Sequence, residues 1–288
     1  MWVGLALLSA LCQVLRNTSM KHLGYTLDDT INVWGRFTFL LPFVAGFVLW
    51  QGIPPLRPGF WLYVVLFGVS QTAATLSLAK ALRLSDISIV TALWKLSLLF
   101  LVVVAFLSLG ERPSWLGMVG ILVSLVGVYV LNIQKSRLSL WAPLRELFVD
   151  RGLRYTVLAA ALYAPTVVLI KQVIIRSDAY FANLMAYLAA SLIILPLALR
   201  RSAKQFSQIP RYWPSFVAMG LFACLGSVSQ SLAYELTLTS YVEAVKQAEV
   251  LFALGVGYLV FQERARVRAI LPGSLIILVG VVLLHLSG

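Results

Sequence analysis

The sequence predicts an all-α integral membrane protein, on the basis of its composition, its hydropathy and the length of its apolar runs. Of the 288 residues, 60% are apolar and only 12% are charged, whereas an ordinary soluble domain carries about 25% charged residues. The mean hydropathy is +0.91. The apolar residues form runs of about 20, the length of helix that crosses a hydrocarbon layer of about 30 Å. Little chain remains between these runs, so a soluble enzyme and a disordered protein are both excluded.

Ten apolar runs of this length follow one another along the chain. They predict ten transmembrane helices, at residues 2–20, 30–50, 60–81, 87–108, 114–133, 153–173, 180–199, 212–233, 240–262 and 267–286. Proline and polar residues separate the runs, as in the connector 51–55, and such residues are typical of turns. Every tryptophan except Trp94 lies towards the end of a run or in a connector, as in the aromatic belt of a membrane interface.

The chain contains an internal repeat. Residues 79–86 and 233–240 share the pattern A-x-x-L-x-L-[ST]-[DS], and each is followed by an apolar run that ends in Glu-Arg. A final helix in each copy carries two glycines seven residues apart. We therefore predict a first five-helix repeat at 1–133, a basic amphipathic linker at 134–152 and a second five-helix repeat at 153–288. Because five is an odd number, the second repeat has the inverted topology.

The linker is the longest connector, and it allows two interpretations. Its basic residues are Lys135, Arg137, Arg145 and Arg151. Trp141, Leu144 and Phe148 share one helical face, which favours a short amphipathic helix lying on anionic lipid headgroups. A plain basic linker that joins the two halves accounts for the same residues equally well. The first interpretation makes anionic membrane lipids a partner of the protein.

The basic residues are distributed unequally between the two sides of the membrane. An even number of helices puts both termini on one side, where the connectors carry four Lys and Arg, whereas the connectors of the opposite side carry sixteen. The positive-inside rule then predicts that both termini lie outside the cytoplasm. Because the basic residues are scattered between apolar runs, they do not form the single stripe of a nucleic-acid-binding protein. We therefore expect no nucleic-acid partner.

Several short motifs occur in a specific order. They are Arg36-Phe37 at the start of the second helix, Ala-Leu-Arg-Leu-Ser at 81–85, Gly110-Glu111-Arg112 at the end of the fourth, and Glu263-Arg264 before a glycine-bearing last helix. In order and spacing, these motifs resemble the drug/metabolite transporter superfamily, specifically the ten-helix EamA-type transporters, over essentially the whole chain.

This resemblance implies a helix bundle around a central cavity, lined by the first four helices of each half, with the fifth and tenth helices outside. It also implies small polar or amphipathic metabolites as cargo. We expect a multi-pass protein of a prokaryotic inner (plasma) membrane. The family usually has cytoplasmic termini, opposite to the orientation that the connector charges predict, so both orientations remain open.

Candidate binding residues are polar side chains deep in the predicted helices. An ionisable group at the centre of a spanning helix costs about 2.5–3.5 kcal/mol on insertion scales, so it is expected to face a cavity or a partner. On the fourth helix, Thr91, Trp94 and Lys95 lie on one face, because residues three and four apart are neighbours on a helix surface. This face is the first half of the predicted substrate site.

The ninth helix carries the second half of that site within two turns. Its members are Glu243, Lys246, Gln247 and Glu249. The repeat alignment sets Lys95 opposite Gln247 or Glu249, so the two halves bring complementary charge together. Two interpretations remain open. Either the ionisable residues of the ninth helix pair with one another as i, i+3 neighbours, or the lysines hold a carboxylate or phosphate while a glutamate binds an ammonium group or carries a coupled proton.

Other polar groups allow both a structural and a functional interpretation. Gln71 and Gln230 occur in Val-Ser-Gln triplets and donate hydrogen bonds either into a cavity or only between helices. Arg36 lies near a membrane edge, where it binds substrate or snorkels to the interface. Arg16 faces either the cavity mouth or the headgroups. Among the aromatic residues, Trp94 is the candidate for stacking on a ring or a cation.

The sequence contains no HExxH, GxSxG, Walker or Cys/His motif, and these motifs carry the common hydrolytic, nucleotide-driven and metal chemistries. We therefore expect no enzyme activity, no cofactor and no metal site. The predicted function is a secondary transporter, an exporter or exchanger of a small charged or zwitterionic metabolite such as an amino acid, working by alternating access. The alternative is a flippase for a phosphate-bearing lipid or lipid-linked carrier. Proton coupling and the choice between monomer and homodimer remain open.

Overall fold

The protein is described by a computed structural model that covers residues 1–24, 26–84, 94, 96–136, 151–249, 251–252 and 264–287. Within these residues the regular secondary structure is helical, which confirms the all-α prediction. The α-helices are α1 (Trp2–Gly24), α2 (Asp29–Thr38), α3 (Leu41–Gln51), α4 (Phe60–Leu84), α5 (Leu96–Leu109), α6 (Trp115–Ser136), α7 (Arg151–Ile175), α8 (Ala179–Ser202), α9 (Trp213–Leu236), α10 (Thr239–Val245) and α11 (Arg264–Ser287). Two 3-10 helices, Ala203–Tyr212 and Lys246–Ala248, directly follow α8 and α10.

Four helical segments among the described residues are long and apolar enough to cross a membrane. They are Asp29–Gln51, Phe60–Ala81, Arg151–Ile175 and Ala179–Leu236, the last of which contains both α8 and α9. Three shorter apolar helices are Leu96–Leu109, Trp115–Gly127 and Leu275–Ser287. The predicted amphipathic helix of the linker lies outside the described residues, because α6 ends at Ser136 and α7 begins at Arg151.

The second predicted helix, at 30–50, consists of two helices in the structure. α2 ends at Thr38 and α3 begins at Leu41, with Pro42 in its first turn. Proline has no N–H to donate, and in a continuous helix its ring collides with the carbonyl four residues earlier, which here belongs to Thr38. The proline therefore favours a break at this point. In α7 and α8, by contrast, Pro165 and Pro196 lie inside unbroken helices.

Aspartate side chains define the starts of α2 and α8. Asp28 has an extended backbone conformation, and its carboxylate accepts a hydrogen bond of 3.1 Å from the Thr30 N–H. Asp178 is also extended and accepts one of 2.7 Å from the Phe181 N–H. Each carboxylate satisfies one of the backbone donors that a helix start leaves without a partner.

The helices pack as three main pairs. α4 packs along α7, α1 along α9, and α6 along α11. α8 contacts α2, α3 and α4. The outward faces are apolar, as shown by Leu49 and Leu107, which are 86% and 74% exposed. Side chains of this kind match the hydrocarbon of a membrane, in which apolar surface needs no burial.

The repeated glycines bring the α6 and α11 backbones together. A Cβ atom at Gly280 would lie 2.9 Å from the Gly120 carbonyl oxygen, and one at Gly127 would lie 3.0 Å from the Gly273 carbonyl oxygen. Real Cβ atoms essentially never lie within 2.9 Å of such an atom and rarely within 3.0 Å, so side chains at these positions would force the helices apart. The α6 and α11 backbones therefore approach each other closely within one chain.

Candidate functional site

A polar cavity lies between six helices, α1, α2, α4, α7, α8 and α9. Its empty volume is about 550 Å³, including the part that opens outward. Most of the lining side chains can form hydrogen bonds. These polar side chains are Ser9, Gln13, Arg16, Arg36, Gln71, Tyr163, Thr166, Asn183, Tyr187, Ser227, Gln230, Ser231 and Tyr234. A cavity with these hydrogen-bonding groups inside an otherwise apolar bundle is the best candidate for a ligand site in the described part of the chain.

Three of the predicted site residues line this cavity directly, namely Arg36, Gln71 and Gln230. The Gln230 amide also connects the cavity to charged residues behind it. Its Nε2 donates to Glu243 Oε1 at 2.7 Å, and its Oε1 accepts from Lys246 Nζ at 2.9 Å. The amide therefore uses both its donor and its acceptor on the same ion pair.

Glu243 and Lys246 form a buried ion pair of 2.9 Å. Glu243 Oε1 also accepts a hydrogen bond of 2.6 Å from the Tyr234 hydroxyl, and Oε2 accepts one of 3.5 Å from the Tyr163 hydroxyl. Glu243 is 7% exposed and Lys246 is 3% exposed. The i, i+3 pairing expected from the sequence is present for these two residues. The pair reaches the cavity through Gln230 and the two tyrosine hydroxyls, which do line it.

Glu249 makes a different contact. Its carboxylate accepts a short hydrogen bond from Gln13 Nε2 of α1, a residue of the cavity lining. Gln247 is buried and donates from Nε2 to the Glu243 carbonyl oxygen at 3.2 Å. The Gln247 Oε1 atom has no hydrogen-bond partner among the described residues. Of these two residues, Glu249 is therefore the one connected to the cavity, through Gln13.

The fourth predicted helix is described only in part. The Trp94 ring packs against Tyr163, with ring centroids 5.1 Å apart. Trp94 therefore lies behind a tyrosine of the cavity lining. Thr91 and Lys95 lie outside the described residues, so their predicted place in the site stays a prediction.

The structure adds cavity residues that the sequence did not single out. From α1 these are Ser9 and Gln13, and Arg16 faces the cavity as well. On α8, Asn183 donates to Ser231 Oγ of α9 at 2.7 Å. Arg16 carried a signal in the sequence, since a guanidinium inside an apolar run needs a polar environment. Ser9 and Gln13 carried no such signal, because neither side chain is charged.

A bundle of apolar helices around a polar cavity is the architecture of a membrane transport protein. A sequence profile of the EamA-like transporter family matches residues 1–133 and 150–286. The chain therefore belongs to this family, which confirms the resemblance drawn from the short motifs. Its two-repeat architecture is that of the family, whose members are integral membrane transporters of small molecules.

A solved structure described as "Crystal structure of protein" has the same fold, with a TM-score of 0.78 and 16% sequence identity. The match covers 99% of this chain and 95% of that chain. No curated protein matches the chain. The family and the fold therefore establish the class of protein, and the residues of the cavity carry the argument about what it transports.

Proposed function

We propose that the protein is a secondary transporter of a small charged or zwitterionic metabolite such as an amino acid, an exporter or exchanger that works by alternating access. The observation that carries this proposal is the polar cavity between helices of both predicted halves. α1, α2 and α4 contribute from the first half, and α7, α8 and α9 from the second. A site between two repeats is accessible to each side of the membrane in turn when the repeats rock against each other.

The packing of the helices supports ten transmembrane helices in two inverted repeats. In that count α2 and α3 together are the second helix, so α1 and α7 begin the two halves and α4 and α9 are the third helix of each. α4, the third helix of the first half, packs on α7, the first helix of the second half. Reciprocally, α9, the third helix of the second half, packs on α1, the first helix of the first half. Reciprocal pairs of this kind are expected from a two-fold axis between the halves.

The helix caps support the same arrangement. Asp28 begins the second helix of the first half, and Asp178 begins the second helix of the second half. Seven residues before each aspartate there is a lysine, Lys21 or Lys171. These matches favour the boundaries 1–133 and 153–288 for the two repeats, joined by the linker 134–152.

Binding roles follow from the position of each group. Arg36, Gln71 and Gln230 touch the cavity, and Glu243 and Lys246 act on it through Gln230 and Tyr234. Thr91, Trp94, Lys95, Gln247 and Glu249 complete the proposed site. The carboxylates Glu243 and Glu249 are the groups that would carry a coupled proton. We also propose that the protein lies in a prokaryotic inner (plasma) membrane and that anionic lipids surround its basic connectors.

The test uses the full-length protein in sealed liposomes that are incubated with a mixed extract of polar metabolites. The metabolites that become protected inside are identified by mass spectrometry and compared with those inside protein-free liposomes. We expect specific small metabolites to enter, and to enter faster when the same compound is preloaded, because exchange is a property of alternating access. Entry of no metabolite above the protein-free level contradicts the proposal. Movement of a labelled phospholipid between leaflets in the same vesicles would instead favour a flippase.

A further inference from the structure

Two guanidinium groups line the cavity, and no carboxylate is among the described residues that line it with them. Arg16 of α1 donates from Nε and Nη2 to the side-chain oxygen of its neighbour Asn17, at 3.3 and 2.9 Å. The Arg36 guanidinium lies 5.7 Å from the centre of the adjacent Phe37 ring. Among the described residues neither arginine forms an ion pair, whereas Lys246 is paired with Glu243 at 2.9 Å.

Both arginines lie at a similar depth. Arg16 is eight residues before the end of α1 at Gly24, and Arg36 is seven residues after the start of α2 at Asp29. At 1.5 Å per residue, each lies about 10–12 Å along its helix from the connector that joins the two helices. The side chains of Arg16 and Arg36 also line the same cavity. The two cations therefore face one region of the cavity.

This arrangement is costly unless an anion or water completes it. A charged arginine inside a spanning helix is unfavourable unless it faces water or a partner of opposite charge, and a second cation nearby adds repulsion. The Glu249 carboxylate is held by Gln13. The Glu243 carboxylate is held by Lys246, Gln230 and Tyr234. These two carboxylates are thus hydrogen-bonded to other groups, and the described residues that line the cavity include both guanidiniums and no acidic side chain.

We propose that Arg16 and Arg36 together form an anion subsite, and that the transported compound carries a carboxylate or phosphate held by both guanidiniums. This inference rests on the proposed transport function. The guanidinium group presents five N–H donors in a planar fork that matches the two oxygens of a carboxylate or phosphate. Lys246 is a weaker candidate for this role, because Glu243 already neutralises its charge.

The experiment starts from the metabolites that enter wild-type proteoliposomes. Each carboxylate is tested again as its primary amide, and each phosphate as its parent alcohol, so that each pair differs only in the anionic group. The same measurements are made on Arg16→Met, Arg36→Met, Arg16→Lys and Arg36→Lys. Arg200→Met, which removes an exposed arginine in the last turn of α8, is the matched control.

We expect the anionic compound to enter at least about tenfold faster than its neutral partner, because only the anion accepts charge-assisted hydrogen bonds from the guanidiniums, and a tenfold effect corresponds to about 1.4 kcal/mol. In the methionine variants the anion should enter about tenfold more slowly than in the wild type, and in the lysine variants the decrease should be smaller. Arg200→Met should show the wild-type rate of entry. Entry of a carboxylate compound would identify carboxylate cargo, and entry of a phosphate compound would identify phosphate cargo.

Equal entry of the amide or alcohol, or wild-type entry of the anion in both methionine variants, overturns the anion subsite and leaves the transport function standing. If no metabolite enters, the transport function itself fails and the subsite fails with it. Size-exclusion profiles and melting temperatures identify any methionine variant that does not fold. The lysine variants keep the charge and test the fork geometry in that case.

Discussion

Glu111 caps a helix that is far from it in the chain. Its two carboxylate oxygens accept the Thr239 backbone N–H at 2.9 and 3.0 Å, and Oε2 also accepts the Thr239 hydroxyl at 2.9 Å. Thr239 begins α10, whose preceding residue Leu238 provides no side-chain cap. Lys171 lies 3.6 Å from Glu111 Oε1 and donates to the Thr237 carbonyl oxygen at 2.9 Å. The connector after α5 thereby holds the start of α10 and the end of α9 together.

Replacing Glu111 with glutamine should lower the melting temperature of the protein by several degrees. The glutamine amide has a single, uncharged acceptor oxygen in place of two charged ones, so it cannot accept all three hydrogen bonds, and Lys171 loses its counter-ion. We therefore expect the free energy of unfolding to fall by about 1.5–3 kcal/mol. Thermal unfolding in detergent measures the change. Arg200→Gln, which also replaces a charged side chain with an amide but at an exposed site in the last turn of α8, is the control and should change stability by about 0.5 kcal/mol or less. Equal effects of the two variants would contradict the cap.

The repeat alignment extends this prediction to the other half of the protein. It matches Glu111 with Glu263 and Thr239 with Ser85. Glu263 and Ser85 lie outside the described residues. If the halves are related by a two-fold axis, Glu263→Gln should destabilise the protein about as much as Glu111→Gln. The double variant should lose nearly the sum of the two single losses in the free energy of unfolding, because the effects of distant sites are additive. Melting temperatures of the three variants give the comparison. No effect of Glu263→Gln would count against the inverted repeat.

Removing one partner of the Glu243–Lys246 pair should damage folding more than removing both. Lys246→Met leaves a buried carboxylate without its counter-ion, which costs about 3–5 kcal/mol. The double variant Glu243→Gln/Lys246→Met should regain most of this loss. Melting temperature and size-exclusion profile measure stability, and transport is then measured on the folded double variant. Wild-type transport by that variant would exclude both residues from the substrate site.

Alanine at Gly280 should separate α6 from α11. The added Cβ would lie 2.8 Å from the Ser124 N–H nitrogen and 2.9 Å from the Gly120 carbonyl oxygen, and overpacking of this kind costs about 1–3 kcal/mol. Gly46→Ala in α3 is the matched control, since nothing lies within 4 Å of its Cβ position. There the better helix propensity of alanine should leave stability unchanged or raise it by about 0.5–1 kcal/mol. Melting temperatures compare the two variants, and an unchanged Gly280→Ala would contradict the backbone contact.

Much of the architecture was predictable because membrane insertion constrains run length and composition strongly. The all-α class, the family and the Glu243–Lys246 pairing all follow from local patterns, since the ion pair joins residues one helical turn apart. Pro42 also carried the signal for the break between α2 and α3, although the run 30–50 was predicted as one helix. These features depend on residues that are near one another in the sequence.

The cavity itself was predictable only in part. Lipid and protein interior are both apolar, so the sequence of α1 does not indicate which of its faces packs against other helices. For this reason Arg16 could not be assigned to the cavity or the headgroups from sequence. Arg36, Gln71 and Gln230, for which the sequence leaves a structural and a functional interpretation open, line the cavity in the structure. The contact between Gln13 and Glu249 joins residues 236 positions apart, and no local pattern announces it.

The interruption at Pro42 places Arg36 close to a helix end. α2 is a separate ten-residue segment that carries the arginine two residues before its end at Thr38, whereas Arg16 belongs to the long continuous α1. Residues 39–40 join α2 to α3. The two guanidiniums therefore reach the cavity from different backbone settings, one from within a long helix and the other from a short helix beside a break.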